Sequence, residues 1–63
     1  MATDKTHVFK VGDLMESWAM GFGRITYIDW NHINVKFSSL PYEKQDRFVD
    51  FETAYKYFTY IPE

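Results

Sequence analysis

The stretch Arg24-Ile25-Thr26-Tyr27-Ile28-Asp29-Trp30-Asn31-His32-Ile33-Asn34-Val35-Lys36-Phe37 decides the fold. Its second half alternates: Ile33, Val35 and Phe37 share one face of an extended strand, and Asn34 and Lys36 share the other. The first half carries two aliphatics, Ile25 and Ile28, three residues apart. Strict alternation cannot turn both inward, but a β-bulge near Thr26-Tyr27 can. Between the halves, Asn31-His32 is expected to make a tight turn, because asparagine tolerates the left-handed backbone such turns use. A bulged antiparallel hairpin is therefore predicted, and bulges are a device by which small sheets curl.

Outward from the hairpin the chain reads as short apolar bursts broken by turn residues. Residues 1–6 are polar and are expected to be a flexible tail, leaving 7–63 as a single domain. Val8 to Val11 is one burst, Gly12-Asp13 a turn, and Leu14-Met15 the next burst. Gly21-Phe22-Gly23 predicts a kinked strand entry. On the other side, Ser38 to Asp46 is a polar loop around Pro41, followed by a short strand, Arg47-Phe48-Val49. Asp50 is placed to cap one or two helical turns over Phe51 to Tyr57, with Phe51, Ala54, Tyr55 and Phe58 at helical spacing. Phe58 to Ile61 reads as a last strand, although Tyr55 to Tyr60 fits both the helical and the extended period. The predicted core is Val8, Val11, Leu14, Ile25, Ile28, Ile33, Val35, Phe37, Phe48, Phe51, Ala54, Phe58 and Ile61. The expected fold class is all-β: four to five antiparallel strands with one short helical turn near the C-terminus, closing into a small barrel.

Composition narrows the function classes. The chain has 63 residues, no cysteine and two histidines, which excludes disulfides and thiolate metal sites. Seven basic residues stand against nine acidic ones, a net charge of −2 that disfavours nonspecific binding to a phosphate backbone. No apolar run approaches membrane-spanning length, and the N-terminal residues lack the pattern of a signal peptide, so a cytoplasmic protein is expected. The one compositional excess is aromatic, at 21%.

Val11-Gly12-Asp13-Leu14, Gly21-Phe22-Gly23-Arg24-Ile25, Ile28-Asp29 and Ile33-Asn34-Val35-Lys36-Phe37 together resemble a known module. It is the small SH3-like, Tudor-like barrel found at the C-terminal end of some bacterial DNA helicases. The RNA-polymerase-interacting domain of CarD-type regulators is similar. The matching scheme is an opening V-G-D-x-V, a G-x-G-x-V strand entry, an I-D before a hairpin and an I-x-V-x-F return strand. It covers Val11 to Phe37 and weakens after Ser38. Trp18-Ala19-Met20 stands where those modules carry His-Pro or a similar pair, and their basic surface is missing. The resemblance implies a barrel that docks on nucleic-acid-processing machinery, contacting another protein through an exposed strand edge, and its matched positions bear on fold more than on activity.

The predicted core is full before Trp18, Phe22, Tyr27, Trp30, Tyr42, Tyr55, Tyr57 and Tyr60 are seated. Several of these rings are therefore expected outside, where tyrosine and tryptophan serve as binding anchors; the plainer alternative is that they blanket a thin core. Trp18, Tyr27, Trp30 and Tyr42 are the expected partner-binding anchors, with Arg24 and Lys36 setting orientation. A methyl-lysine cage would need Trp18 folded over Tyr27, Trp30 and Asp29, which nothing in the spacing requires. Neither His7 nor His32 has a nucleophile at a telling spacing, and no phosphate-binding loop precedes a helix, so no catalytic residue, metal ligand or cofactor is assigned. The expected function is a non-enzymatic interaction module or inhibitor that docks on a protein partner. Its small size brings to mind adaptors encoded by phages and mobile elements. One alternative is a nucleic-acid binder using Arg24 and Lys36 among aromatics; another is a structural homo-oligomer pairing edge strands.

Overall fold

The hairpin read from residues 24–37 forms the middle of the sheet in a computed structural model that describes residues 3–63. The elements run β1 (Leu14–Ser17), β2 (Gly21–Ile28), β3 (His32–Lys36), a 3-10 turn (Tyr42–Lys44), β4 (Asp46–Asp50), α1 (Phe51–Tyr57) and β5 (Phe58–Ile61). All strand pairs are antiparallel, in the spatial order β4-β3-β2-β1-β5. The register of β2 against β3 shifts between Ile25, opposite Val35, and Tyr27, opposite Asn34. This is the bulge that the spacing of Ile25 and Ile28 demanded, and both aliphatics reach the core side.

The turn between β2 and β3 works differently from the expectation. Among the described residues none other than glycine has a positive φ, so Asn31 does not adopt the left-handed conformation. Instead the Asp29 carboxylate accepts hydrogen bonds from the backbone N–H of Asn31 (2.9 Å) and of His32 (2.7 Å). The Asp29 N–H donates in turn to the His32 carbonyl at 2.9 Å. An aspartate side chain replaces the backbone contortion a two-residue turn would need.

The predicted barrel does not form. The sheet is open, with β4 and β5 as its two ends, so the SH3-like and Tudor-like assignment and the all-β class are both corrected. The fold is a mixed α/β arrangement of a five-stranded antiparallel sheet and one seven-residue helix. The physical reason lies in α1. It leaves β4 directly, enters β5 directly, and packs on β3, β4 and β5, so helix rather than hydrogen bonding bridges the two ends. One bulge bends β2 without bringing the edges together. The helix itself is capped as read: the Asp50 carboxylate accepts from the Thr53 N–H at 2.9 Å, and Glu52 and Lys56 complement its dipole.

One face of the sheet holds the core. Met15, Ile25, Ile33, Val35 and Phe37 are sealed there beneath Ala54, Phe58 and Phe9. Gly23 faces the same way, and a Cβ at that position would come within 2.7 Å of the Phe37 ring and 2.8 Å of the Lys36 carbonyl. Gly21, with φ at +81°, turns the chain into β2. Five predicted core residues are corrected: Val8, Val11 and Phe48 are exposed, and Leu14 and Ile61 are half-buried outside the core, while Phe9 and Met15 take inward places. Within the N-terminal segment, residues 3–6 are described. Thr3 is buried, its N–H donating to the Phe58 carbonyl and its hydroxyl accepting from the Tyr60 N–H. Residues 1 and 2 of that tail lie outside the described residues.

Candidate interaction face

The other face of the sheet has no helix over it. Alternation and register decide what it carries: Asn34 sits opposite both Tyr27 on β2 and Phe48 on β4, and Lys36 opposite both Arg24 and Asp46. Three rows result, running across the strands.

At the hairpin end lies a chain of rings. Tyr27 and Phe48 meet across β3 with centroids 6.2 Å apart. Phe48 stacks on His32 at 4.8 Å and 13°. His32 meets Trp30 edge-on at 6.3 Å and 86°. The rings touch one another yet stay open to water: Trp30 is 85% exposed, Phe48 57% and Tyr27 50%. Carboxylates surround them. Asp29 lies 3.4 Å from the His32 imidazole, and Asp50 sits opposite His32 on β4. Backbone N–H donation from Asn31 holds the Asp29 carboxyl below its ordinary range, and the Thr53 cap does the same for Asp50.

The middle row is polar. The Asn34 amide donates to the Thr26 hydroxyl at 2.8 Å and to the Asp46 carboxylate at 3.0 Å, tying β2, β3 and β4 together.

At the far end, Leu14, Phe22, Arg24, Lys36 and Ser38 line an open groove of about 310 Å³. Arg24 and Lys36 share this face as the sequence reading placed them, but Arg24 is already engaged. Its guanidinium donates to both oxygens of Glu63, at 2.7 and 2.9 Å, and to the Gly12 carbonyl. The pair raises the Arg24 pKa and lowers that of Glu63. Lys36 reaches toward the Tyr42 ring, 5.9 Å from its centroid.

The sequence-derived anchors thus divide into three places. Tyr27 and Trp30 join one cluster; Arg24 and Lys36 line the groove, with Tyr42 beside Lys36; Trp18, 99% exposed, lies in the β1–β2 turn. Trp18 and Trp30 flank opposite ends of β2, whose eight residues span roughly 23 Å at the usual strand rise. A cage drawing on both is geometrically excluded. Two members of the ring cluster, Phe48 and His32, escaped the sequence reading. The signal for Phe48 was present in β4, where it shares alternation parity with Asp46 and Asp50 while Arg47 and Val49 occupy the other face.

His7 is fastened by three contacts. Its Nε2 lies 3.0 Å from the Asp13 carboxylate, its ring stacks on Tyr60 at 3.9 Å, and its carbonyl accepts from the Tyr55 hydroxyl. Asp13 also accepts from the Lys10 N–H. These contacts pin the segment before β1 over α1 and β5. Among the described residues, no three His, Asp or Glu side chains are grouped as metal ligands would be. No helix among them is long and apolar enough to cross a membrane. The chain matches no protein-family model, and neither a curated protein nor a solved structure shows significant similarity to it.

Proposed function

We propose that this protein is a non-catalytic interaction module that docks on a protein partner, in the cytoplasm, through the open face of its sheet. The observation that carries the reading is a run of four neighbouring rings in which Trp30, Phe48 and Tyr27 are exposed and half-buried His32 links them. The solvent face of an antiparallel sheet is ordinarily polar, and contiguous apolar surface left open marks an interaction site. Aromatic side chains offer large area with few torsions to freeze, which is why they dominate binding hot spots. The rings are also positioned before any partner arrives. Asp29 fixes the turn that carries Trp30 and His32, and the Asn34 network fixes the strands that carry Tyr27 and Phe48. Trp30 and Tyr27 are the primary anchors, while Trp18 and Tyr42 lie outside that contact.

The nucleic-acid alternative is weaker on electrostatic grounds. Of its two cations, Arg24 is neutralised by Glu63, and the same face carries Asp46 and Asp50. A phosphate backbone laid across it would meet more carboxylate than free cation.

The test uses immobilised protein and a native cell extract, comparing wild type with Trp30→Ala and Tyr27→Ala, each checked for fold by circular dichroism. A protein retained by wild type and lost from both folded variants is the expected result. Retention undiminished in both variants would overturn the reading. So would salt-sensitive capture of single-stranded nucleic acid at about 50 mM salt, lost by about 200 mM.

A further inference from the structure

The two ends of the open sheet are finished differently. At β5, Thr3 covers the edge by bonding to Phe58 and Tyr60. At β4, no described residue plays that part, and the ladder shows which backbone groups are left over. The Phe37 N–H donates to the Gln45 carbonyl at 2.8 Å, and the Phe51 N–H donates to the Asn31 carbonyl at 2.9 Å. These two bonds bracket the β3–β4 pairing. Antiparallel bonding alternates along a strand, so the Gln45 carbonyl, the backbone groups of Arg47 and Val49, and the Phe51 N–H turn toward β3. Asp46 and Phe48 turn theirs outward, to a free edge. The side chains of Asp46, Phe48 and Asp50 meanwhile stand on the open face, because they sit opposite Lys36, Asn34 and His32.

We propose that the free edge of β4 accepts an extended, cationic segment of the partner protein as a sixth strand. This rests on the docking reading above and names its chemistry. Strand addition draws affinity from main-chain hydrogen bonds and specificity from alternate side chains. Here the alternate positions read acid, ring, acid. A complementary segment carries Lys or Arg opposite Asp46 and Asp50, with an aliphatic or aromatic residue between them opposite Phe48. Because that pattern is symmetric, it fits an incoming strand of either direction. Tyr27 and Trp30 extend the contact beyond the added strand.

Charge also selects against a second copy of this chain. The register that pairs all of β4 with another β4 is centred on Phe48 and sets Asp46 opposite Asp50 twice, and like charges directly opposite destabilise a strand pair. The same two carboxylates that repel self-pairing invite a basic strand.

The test titrates the full chain, labelled for amide NMR, with a capped peptide of core Lys-Thr-Val-Thr-Lys. The expected result is that the Asp46 and Phe48 amides shift most, with those of β5 unmoved. The same peptide with glutamate in place of lysine is expected to bind at least about tenfold more weakly. In the protein, Asp46→Asn with Asp50→Asn removes both charges while asparagine keeps the helix cap, and affinity for the lysine peptide should fall about fivefold. Equal binding of the lysine and glutamate peptides would overturn the proposal, as would the absence of shifts at Asp46 and Phe48. Self-association through β4 in the free protein would overturn it too. A partner from cell extract that needs Trp30 but is indifferent to the paired asparagine variant would reject strand addition and leave the docking reading standing.

Discussion

On the covered face of the sheet, Met15, Ile25, Ile33, Val35 and Phe37 expose at most 1% of their surface; on the opposite face, Tyr27 of β2 and Phe48 of β4 expose half or more of theirs. The covered face is mostly aliphatic and is closed by Phe9, Ala54 and Phe58. The open face is aromatic and acidic, and its rings gain contact with one another without leaving water. Two layers of side chains on one backbone are therefore under different demands. In a 63-residue chain, where apolar burial is scarce, placing Tyr27, Trp30 and Phe48 outside withholds area that the core could use. If the open face is the docking surface proposed above, stability and recognition lie on opposite faces and should be separable by mutation.

Phe37→Ala is the strongest way to break the covered face. It empties the site of the largest fully buried side chain, at a cost of about 3–5 kcal/mol. That rivals the whole stability of so small a domain, so the variant is expected to be largely unfolded at 25 °C by circular dichroism. Gly23→Ala comes next. Its Cβ would press on the Phe37 ring, the Val35 side chain and the Lys36 carbonyl, costing about 1–3 kcal/mol, read as a lowered urea midpoint. Thr3→Val removes the hydroxyl that accepts from the Tyr60 N–H, leaving that donor short of a partner. A loss of about 1 kcal/mol is expected by the same measurement, with hydrogen exchange accelerated at Tyr60.

The smallest effect on stability belongs to the open face and its turn. The folded-state pKa of Asp29 lies below its unfolded value, so its bonds to Asn31 and His32 are fully present above about pH 4. They are lost as pH falls through the lower, folded value. Amide protons of Asn31 and His32 should then become mobile in NMR spectra while those of Ile33 and Val35 stay protected. Simultaneous loss of protection in all four would mean that the turn is not a separate unit.

Much of the covered face was legible in the sequence. Ile33, Val35 and Phe37 announced β3, the spacing of Ile25 and Ile28 announced the bulge, and Asp50 announced the start of α1. Val8 and Val11 misled because a short apolar burst without alternating neighbours does not state its own register, and Phe9 between them took the core position. The barrel misled because a bulge is a local signal, while closure depends on where two distant edges lie. That is decided by α1 spanning from β4 to β5, a tertiary outcome no local pattern records. The open face was half legible. The excess of rings predicted exposed aromatics, but the partnership of Tyr27 with Phe48 and of Phe48 with His32 depends on pairing across three strands. Arg24 was read as a free cation because its partner, Glu63, lies 39 residues away.

The central claim is that the open face binds without holding the fold together, and a double variant, Tyr27→Ala with Trp30→Ala, tests it most directly. Urea unfolding and partner retention are measured on the same preparation. The predicted result is a stability within about 1 kcal/mol of wild type, consistent with two surface substitutions, alongside complete loss of the retained partner. Unfolding of the variant, or retention of the partner at wild-type level, would contradict the account.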